Sequence, residues 1–385
     1  MIGKDKQIPQ GYKDSPLGII PKEWEVKRLG DLCNDIYSGR NKYRTELGRY
    51  PIYGSTGIIG MTDKYQYEGN KILIARVGAH AGLVSMACGK YDVSDNTIIV
   101  ENKERSSTYF IYQQLIAANL NKMIFGSGQP LITAGMLKRL QVVYPSIAEQ
   151  SIISYVLLLW DTAIEKQSGL IEKLALRKRA LMQQLLTGKK RLPGFSGEWK
   201  EVRLGDVFNE RNENNRNDLP LLSITGDRGV IYQSESDKRD ISNDDKSKYK
   251  RICPNDIGYN TMRMWQGRSA LSQLEGIVSP AYTIVTPTEE IDVRFMAMLI
   301  QQPRVIYDFW THSQGLVSDT LNCKYPDFSQ VKVCIPTKEE QTVIADILYE
   351  FDREIELAEK ELEILQSQKR GLMQQLLTGK KRIKQ

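Results

Sequence analysis

The sequence predicts an α+β protein in which two α/β globular units are separated by two long helices, which form an antiparallel coiled coil within a pseudo-two-fold internal repeat. The first observation is a duplicated stretch, in which KRALMQQLLTGKKR ends at Arg191 and KRGLMQQLLTGKKR ends at Arg382. The second is a heptad spacing of apolar residues through both copies. The third is a shared entry motif, EWEVKRLGDL from Glu23 and EWKEVRLGDV from Glu198. Together they indicate a duplicated architecture.

The matches between the two copies locate the segments of the chain. The helical matches are offset by 191 residues (Lys369 minus Lys178), whereas the entry motifs are offset by 175 (199 minus 24) and VSDNTIIV matches VSPAYTIV at 185 (278 minus 93). The changing offset indicates extra residues inside the second globular unit. The predicted segments are an N-terminal extension 1–21, a globular unit 22–145, a helix 146–191, a second globular unit 192–336 and a second helix 337–385.

Each long helix is predicted to place an apolar seam against the other helix, because apolar residues recur in alternating steps of four and three. The seam comprises Ile153, Leu157, Trp160, Ile164, Ile171, Leu174, Leu181 and Leu185 in the first copy, and Ile344, Leu348, Phe351, Ile355, Leu362, Leu365, Leu372 and Leu376 in the second. A sustained heptad favours a coiled coil over a helix that lies on a globular core.

The ends and polar positions of these helices are also recognisable. Pro145 and Pro336 precede them, and Gly188 and Gly379 are expected to form left-handed C-terminal caps. Lysines at seam positions 178 and 369 are expected to set the helix register at some cost in stability. Two roles stay open: a hairpin that only spaces the globular units, or one whose near-identical outward faces also dock another protein.

The globular units show patterns typical of α/β structure. Strands are predicted within 71–77, 96–102 and 140–145 of the first unit, and within 276–287 and 330–336 of the second, because these runs are rich in β-branched residues. Helices are predicted over 107–121 and 293–302.

Composition and charge exclude several classes of protein. The chain has 385 residues, 41% apolar residues and a net charge of +6, which permits a polyanionic partner without requiring one. The longest apolar run, 155–160, is too short to cross a bilayer, so we expect a cytoplasmic protein without membrane contact. The five cysteines lack CxxC spacing and are expected to be buried thiols, with neither a disulfide nor a zinc site.

Basic and aromatic residues alternate in loops of both units, a pattern suited to phosphate contacts and base reading. The segments are YSGRNKYRTELGRYPIYGSTG from Tyr37 and YNTMRMWQGRSAL from Tyr259, with polar glycine-rich loops at 126–133 and 312–319. A solvated charged loop or a structural turn is the alternative for each. The candidate DNA-binding residues are Arg40, Asn41, Lys42, Tyr43, Arg44, Ser55, Thr56, Arg76, His80, Gln129, Asn260, Arg263, Trp265, Gln266, Arg268, His312 and Gln314.

Motifs for catalysis and metal binding are missing from the sequence, so no catalytic residue and no metal ligand is predicted. There is no GxxxxGK[ST] phosphate loop, GxSxG or HExxH. No two prolines are adjacent, which excludes the Asp/Asn-Pro-Pro-aromatic motif of amino-group DNA methyltransferases. The only histidines, His80 and His312, lie in non-equivalent loops. The sequence therefore indicates a recognition protein rather than an enzyme.

The duplicated plan resembles the specificity subunit of type I restriction-modification systems. The resemblance rests on EWxxxRLGD at each unit, PxxxEQxxI at each helix start and LMQQLLTGKKR at each helix end, and it covers essentially the whole chain. It implies two target recognition domains, each reading one half of a split, asymmetric double-stranded DNA site, with the helices setting the unread spacer.

The resemblance also implies partners and cofactors. Two modification (methyltransferase) subunits would dock on the helices, and motor-nuclease restriction subunits would join them. S-adenosylmethionine, ATP and Mg²⁺ would then act only in those partners, with no cofactor in this chain. A stand-alone coiled-coil DNA-binding regulator with two recognition heads is the alternative; it would not need near-identical outward helix faces.

Overall fold

A computed structural model describes residues 8–42, 45–104, 106–124, 130–226, 228–236, 245–315 and 320–383. The chain forms two compact units, the first from residues 1–168 and 360–385 and the second from residues 169–359. Both units contain helices and sheets, as the α+β class predicts. Each unit takes part of both long helices, so the five-segment division of the sequence stays a prediction.

The first unit contains twelve described strands, three short helices and the start of a long helix. The strands are β1 (Tyr12–Lys13), β2 (Ile20–Pro21), β3 (Glu25–Arg28), β4 (Cys33–Ser38), β5 (Tyr50–Gly54), β6 (Gly57–Thr62), β7 (Tyr67–Glu68), β8 (Lys71–Ala75), β9 (Val84–Ala87), β10 (Lys90–Val93), β11 (Thr97–Asn102) and β12 (Gln141–Tyr144). The helices are α1 (Leu29–Leu32), α2 (Thr108–Ala118), α3 (Ala134–Arg139) and the long α4 (Ile147–Leu185).

The second unit repeats this plan with fewer described strands. They are β13 (Lys200–Arg203), β14 (Phe208–Glu210), β15 (Leu222–Ile224), β16 (Val230–Tyr232), β17 (Lys250–Ile252), β18 (Ile257–Asn260), β19 (Ser269–Leu271), β20 (Gly276–Val278), β21 (Tyr282–Pro287) and β22 (Lys332–Ile335). The helices are α5 (Leu204–Val207), α6 (Val293–Leu299), α7 (Pro303–His312), α8 (Tyr325–Gln330) and the long α9 (Lys338–Leu376).

Equivalent four-stranded sheets form the centre of both units. Their strand orders are β4-β11-β8-β9 and β14-β21-β18-β19, with antiparallel pairing throughout. The strand pairs β3-β12 and β13-β22 also have the same register. Arg28 lies opposite Gln141 and Arg203 lies opposite Lys332, and these positions correspond at the offsets of 175 and 191 residues found in the sequence. The structure therefore confirms the duplication that the sequence predicts.

Apolar runs explain why the central strands are buried on both faces. Ile72 and Ile74 of β8 pack into the main core with α2, whereas Leu73 between them packs on the opposite face. That opposite face is a smaller core, which includes Tyr91 and is covered by Tyr37, Tyr53 and Tyr67. Successive residues of a strand point to opposite faces, so a continuous apolar run indicates a strand covered on both sides.

The recurring PxxxEQ motif is explained by hydrogen bonds at the start of each long helix. The Gln150 amide donates to Pro145 O at 3.0 Å and accepts from Ser107 N at 3.0 Å. In the second unit, Gln341 repeats this with Pro336 O at 2.9 Å and Asp292 N at 3.0 Å. The motif thus ties the helix start to the N-terminus of α2 or α6.

The glutamate of the same motif binds the arginine that ends the duplicated stretch. Arg191 donates through Nε and Nη2 to the two Glu340 carboxylate oxygens, at 2.8 and 2.7 Å. Arg382 does the same to Glu149, at 3.1 and 3.0 Å. Glu149 also accepts from the Trp24 indole at 2.9 Å. The near-identical ends of the helices are therefore part of the folded core of each unit.

Segments of the two long helices run antiparallel within each unit. In the first unit Lys369 Nζ lies 2.6 Å from Asp161 Oδ1, and in the second unit Lys178 binds Asp352. The two pairs are related by the 191-residue offset. Gly188 and Gly379 take the left-handed conformation (φ 68° and 69°), as predicted for the caps. A continuous coiled coil through both units stays a prediction.

The ends of the predicted seam are also part of the globular cores. Ile153 and Leu157 lie in the core of the first unit, and Leu185 and Ile344 lie in the core of the second. Leu376 of α9 lies in the same core as Ile153 and Leu157, so the two long helices share each core with the globular part of the unit. The same heptad positions fit a coiled-coil seam and a globular core, and the coiled coil stays a prediction. The remaining seam residues are partly or fully buried.

The outward helix faces are less similar than predicted. Tyr155, Leu158 and Leu159 of α4 are 63%, 47% and 52% exposed, respectively. At the 191-residue offset, α9 has Asp346 in place of Tyr155 and Glu350 in place of Leu159. The expectation of near-identical outward faces is wrong for this stretch.

The structure also bears on the expectations for the thiols and for a membrane span. Cys88 and Cys334 are exposed, so the expectation of buried thiols is wrong for these two cysteines. Among the described helices, α4 is long and apolar enough to cross a membrane by length and composition alone. A single helix of this kind is weak evidence for a membrane span, and Ile153 and Leu157 within it pack into the core of the first unit.

Candidate nucleic-acid interface

Each unit has a polar pocket at the same edge of its central sheet. In the first unit this edge is where β8 ends and β11 begins, and in the second it is where β18 ends and β21 begins. A hairpin supplies the facing wall, β5-β6 in the first unit and β15-β16 in the second. The duplication thus yields two equivalent sites whose side chains differ.

The first pocket has a volume of about 220 Å³ and combines two separate loops with one turn. Four of the predicted DNA-binding residues lie on its wall, and the turn before β11 completes it. The lining residues are Asn41, Lys42, Ser55, Thr56, Ile59, Ser94, Asp95 and Asn96. The sequence placed the first four residues in one loop region, and the structure brings them together.

Close backbone contact holds the loop of Asn41 against β10. Arg40 N and Asn41 N both donate to Val93 O, at 3.1 and 3.0 Å. A Cβ atom on Gly39 would lie only 2.4 Å from the carbonyl oxygens of Val93 and Ser94. Only glycine permits this approach.

The second pocket is larger, about 660 Å³, and contains several cationic and amide side chains. Its lining residues are Ile224, Thr225, Gly226, Arg228, Ser236, Asn260, Arg263, Gln266, Arg268 and Tyr282. Asn260, Arg263, Gln266 and Arg268 are predicted site residues, and they converge because the β18-β19 loop folds back on itself. Gln266 N donates to Arg263 O and Asn260 N to Arg268 O, at 2.9 and 3.0 Å.

Three side chains of this loop are free to bind an external group. Within the described part of the chain, the side chains of Arg263, Gln266 and Arg268 make no hydrogen bond or ion pair. By contrast, Arg211 binds the buried carboxylate of Asp256, and the same unit has three further ion-paired arginines, Arg216, Arg251 and Arg294. Because ion-paired arginines are already neutralised, the free arginines are those that can bind an external anion or base edge.

Asn260 has a different role from its free neighbours. Its Oδ1 accepts from Met262 N at 3.0 Å, and its amide binds the Tyr282 hydroxyl, which in turn lies 3.4 Å from Ile224 O. Burial raises the pKa of Tyr282, and the hydrogen bond from Asn260 opposes that rise. This network joins three strand ends, so Asn260 holds the pocket wall.

The other predicted residues lie outside these two pocket linings. Arg40 and His80 are exposed, and Arg76 donates to Asp95 O of the first pocket at 3.4 Å. Trp265 is partly buried and donates to Met262 O at 3.0 Å. His312 contacts Asp308 O, while Gln314 donates to an oxygen of Asp327. Tyr43, Arg44 and Gln129 are outside the described residues.

Sequence reasoning missed several pocket residues. In the first pocket these are Ser94, Asp95 and Asn96, which follow a buried strand. In the second they are Thr225 and Arg228 of the β15-β16 hairpin, Ser236 shortly after it, and Tyr282 at the start of β21. Arg228 donates to Glu235 O at 3.1 Å. The available signal was weak, because the hairpin has short strands and VSDN resembles an ordinary turn.

Comparison with known proteins agrees with the duplicated plan. The family model described as "Type I restriction modification DNA specificity domain" matches residues 21–175 and 196–367. The MjaVIII specificity subunit of Methanocaldococcus jannaschii is 25% identical over 410 residues, covering 95% of this chain and 94% of that protein. The EcoprrI specificity subunit of Escherichia coli is 30% identical over 159 residues, covering 39% of this chain and 40% of that protein.

Solved structures show the same fold. The type I restriction-modification S subunit from M. genitalium aligns with a TM-score of 0.62 at 17% identity, covering 92% of this chain and 96% of that one. A chain from a study of the assembly of the type I R-M system aligns with a TM-score of 0.55 at 14% identity, covering 94% and 99%. With both halves matched by the family model, the chain belongs to the type I restriction-modification DNA specificity family and contains two specificity domains.

Proposed function

We propose that this chain is the DNA-reading subunit of a type I restriction-modification complex, and that each unit reads one half of a split, asymmetric site through its pocket. One observation carries the proposal: the repeat places two pockets at equivalent sheet edges but lines them with different polar side chains. Because the two pockets lie at equivalent positions, the two units can dock on DNA in similar ways. Because the pockets have different side chains, they can read different half-sites.

The second pocket has the chemistry for guanine and adenine. An arginine can donate two hydrogen bonds to guanine O6 and N7, and a glutamine can pair with adenine N6 and N7. Arg263, Arg268 and Gln266 are free to do so. Each such pair contributes about 1–3 kcal/mol of discrimination against a wrong base.

The helices carry a repeated surface suited to two copies of one partner. We call it the docking stripe; it consists of Glu172, Arg179 and Gln183 in the second unit and Glu363, Arg370 and Gln374 in the first. The two sets are identical at the 191-residue offset, and all six residues are exposed. Residues four, seven and eleven apart lie on one helix face, so each unit presents the same polar surface.

The partners that fit this stripe are two methyltransferase subunits, with motor-nuclease subunits joining the assembly. In this proposal the chain itself is non-catalytic and holds no cofactor. S-adenosylmethionine, ATP and Mg²⁺ act in the partners, and the complex is cytoplasmic. A stand-alone regulator would leave a repeated, exposed docking stripe without a role, and membership of the specificity family favours the restriction-modification role.

Two measurements test the proposal. The chain is co-expressed with its methyltransferase in a host lacking DNA methylation, and modified adenines are mapped by single-molecule sequencing. A split asymmetric motif with a fixed gap supports the proposal, whereas scattered or absent modification by a stable, active complex contradicts it.

The docking stripe is tested by the mass of the purified complex. Arg179→Glu or Arg370→Glu alone should remove one methyltransferase copy, and the double variant should remove both. Arg353→Glu is the control, because Arg353 is an exposed α9 residue outside the stripe. Retention of two copies by the double variant would place the partner elsewhere.

A further inference from the structure

The turn that begins β11 in the first unit is held in place by its neighbours. Ser55 Oγ donates to Asn96 O at 3.0 Å, and Arg76 reaches Asp95 O at 3.4 Å through Nη1 and Asn96 O at 2.9 Å through its backbone N. Asp95 N donates to Asn41 O at 3.3 Å. Three predicted DNA-binding residues, Asn41, Ser55 and Arg76, therefore form hydrogen bonds with the backbone of this turn.

The same turn presents two polar side chains that its neighbours leave unused. Asp95 and Asn96 both line the first pocket. In the part of the chain that the structure describes, neither side chain makes a hydrogen bond or ion pair. Four hydrogen bonds thus fix the backbone of the turn, while the side chains of Asp95 and Asn96 remain available to bind an external group.

We infer that Asp95 and Asn96 read bases for the first unit, and that Asp95 accepts a hydrogen bond from the exocyclic amino group of a cytosine or an adenine. This rests on the proposed function and specifies the base chemistry of its first half-site. An ionised carboxylate can only accept. In the major groove only cytosine N4 and adenine N6 donate, whereas the corresponding edges of guanine and thymine accept.

Asn96 and the neighbouring cations fit this assignment. An asparagine amide both donates and accepts, which suits adenine N7 and N6. Phosphates repel a carboxylate, so an aspartate at a DNA surface needs a compensating interaction. Lys42 lines the same pocket and Arg40 is exposed beside it; both can neutralise nearby phosphates.

The second unit provides an internal comparison. At the 185-residue offset, Asp95 and Asn96 correspond to Pro280 and Ala281, whose side chains cannot form hydrogen bonds. There the free polar groups are on the β18-β19 loop instead. Conversely, the β8-β9 segment RVGAHAGL (76–83) of the first unit has a single arginine, Arg76, which already binds the turn. The first unit thus offers a fixed acceptor where the second offers arginine donors.

The inference is tested by selecting bound sequences from a randomised duplex library, using the full chain in complex with its methyltransferase. Asp95→Ala should reduce the preference for cytosine or adenine at one position of one half-site by about fivefold to 150-fold. Asn96→Ala should relax a position in the same half, while the other half and the gap stay unchanged. Asp63→Ala removes an equal charge from an exposed residue outside the pocket lining and should leave the motif intact.

A second variant keeps the test decisive if alanine disturbs the turn. Asp95→Asn has nearly the same size but adds a donor, so the preference should change at the same position. An unchanged motif in both Asp95 variants, or a uniform loss over all positions, would overturn the inference. If the unaltered chain selects no split motif, the proposed function itself fails; if it selects one that Asp95 does not affect, only this inference fails.

Discussion

The two pseudo-equivalent arginine–glutamate pairs should differ in their contribution to stability. Arg191→Ala removes both hydrogen bonds that the Glu340 carboxylate receives among described residues, and the Glu340 side chain is only 2% exposed. An uncompensated buried charge costs about 3–5 kcal/mol. Arg382→Ala leaves Glu149 with its hydrogen bond from Trp24, and the Arg382 side chain is 42% exposed. We therefore expect a smaller loss there, about 1–2 kcal/mol.

Urea unfolding of the full chain measures the loss of unfolding free energy in each variant. Hydrogen exchange of peptides around 192–199 and 338–348 tests whether the loss in Arg191→Ala arises in the second unit. Arg353→Ala is the control, because that side chain is 73% exposed and lies 3.9 Å from Glu350, so its loss should be below about 1 kcal/mol. Equal losses for Arg191→Ala and Arg382→Ala would refute the role assigned to the Trp24 hydrogen bond. A loss below about 1 kcal/mol for Arg191→Ala would refute the buried-charge reasoning.

Three further predictions concern the pockets and the thiols. Lys42→Ala should weaken binding to all DNA sequences alike and make the slope of log affinity against log salt concentration about 1 less steep, whereas Arg268→Ala should mainly relax base preference. Binding titrations at several salt concentrations separate these outcomes. If both variants weakened binding to all sequences equally, the assignment of Lys42 to phosphate contact and Arg268 to base reading would be contradicted. Gly39→Ala should disturb only the first half-site, because its Cβ would meet two carbonyl oxygens at 2.4 Å, and a selected motif altered in both halves would argue against this. Burial raises the thiol pKa of Cys33 and Cys323 to about 12, so these thiols should stay unreactive toward maleimide at pH 8 while the exposed Cys88 and Cys334 react. Mass spectrometry of labelled peptides measures the reaction at each cysteine, and rapid labelling of Cys33 would contradict its packing in the core.

The features that could be predicted from sequence are those with a periodic or repeated signal. The apolar runs of β8 and β11 and the heptads of the long helices identify the central strands and α4 and α9. The duplicated LLTGKKR ends and the glycine caps correctly mark where the helices stop. These signals are local in the chain, so tertiary contacts are not needed to recognise them.

The pockets could be predicted only in part, because their side chains gain their roles from distant contacts. The arginine-rich β18-β19 loop was visible as a cluster in sequence. Asn260, in the same loop, turned out to hold the wall through Tyr282, 22 residues later (282 minus 260). Asp95 was not visible at all, since only the folded contacts from Asn41, Ser55 and Arg76 show that its turn is fixed.

The central claim is that the two pockets read the two halves of one site independently. The most direct measurement maps the methylation motif of three chains in the same host: the unaltered chain, Asp95→Ala/Asn96→Ala, and Arg263→Ala/Arg268→Ala. We expect the first double variant to relax one half only, the second to relax the other half only, and the gap between halves to keep its length. If either variant altered both halves, or if both altered the same half, the assignment of one half-site to each pocket would be wrong.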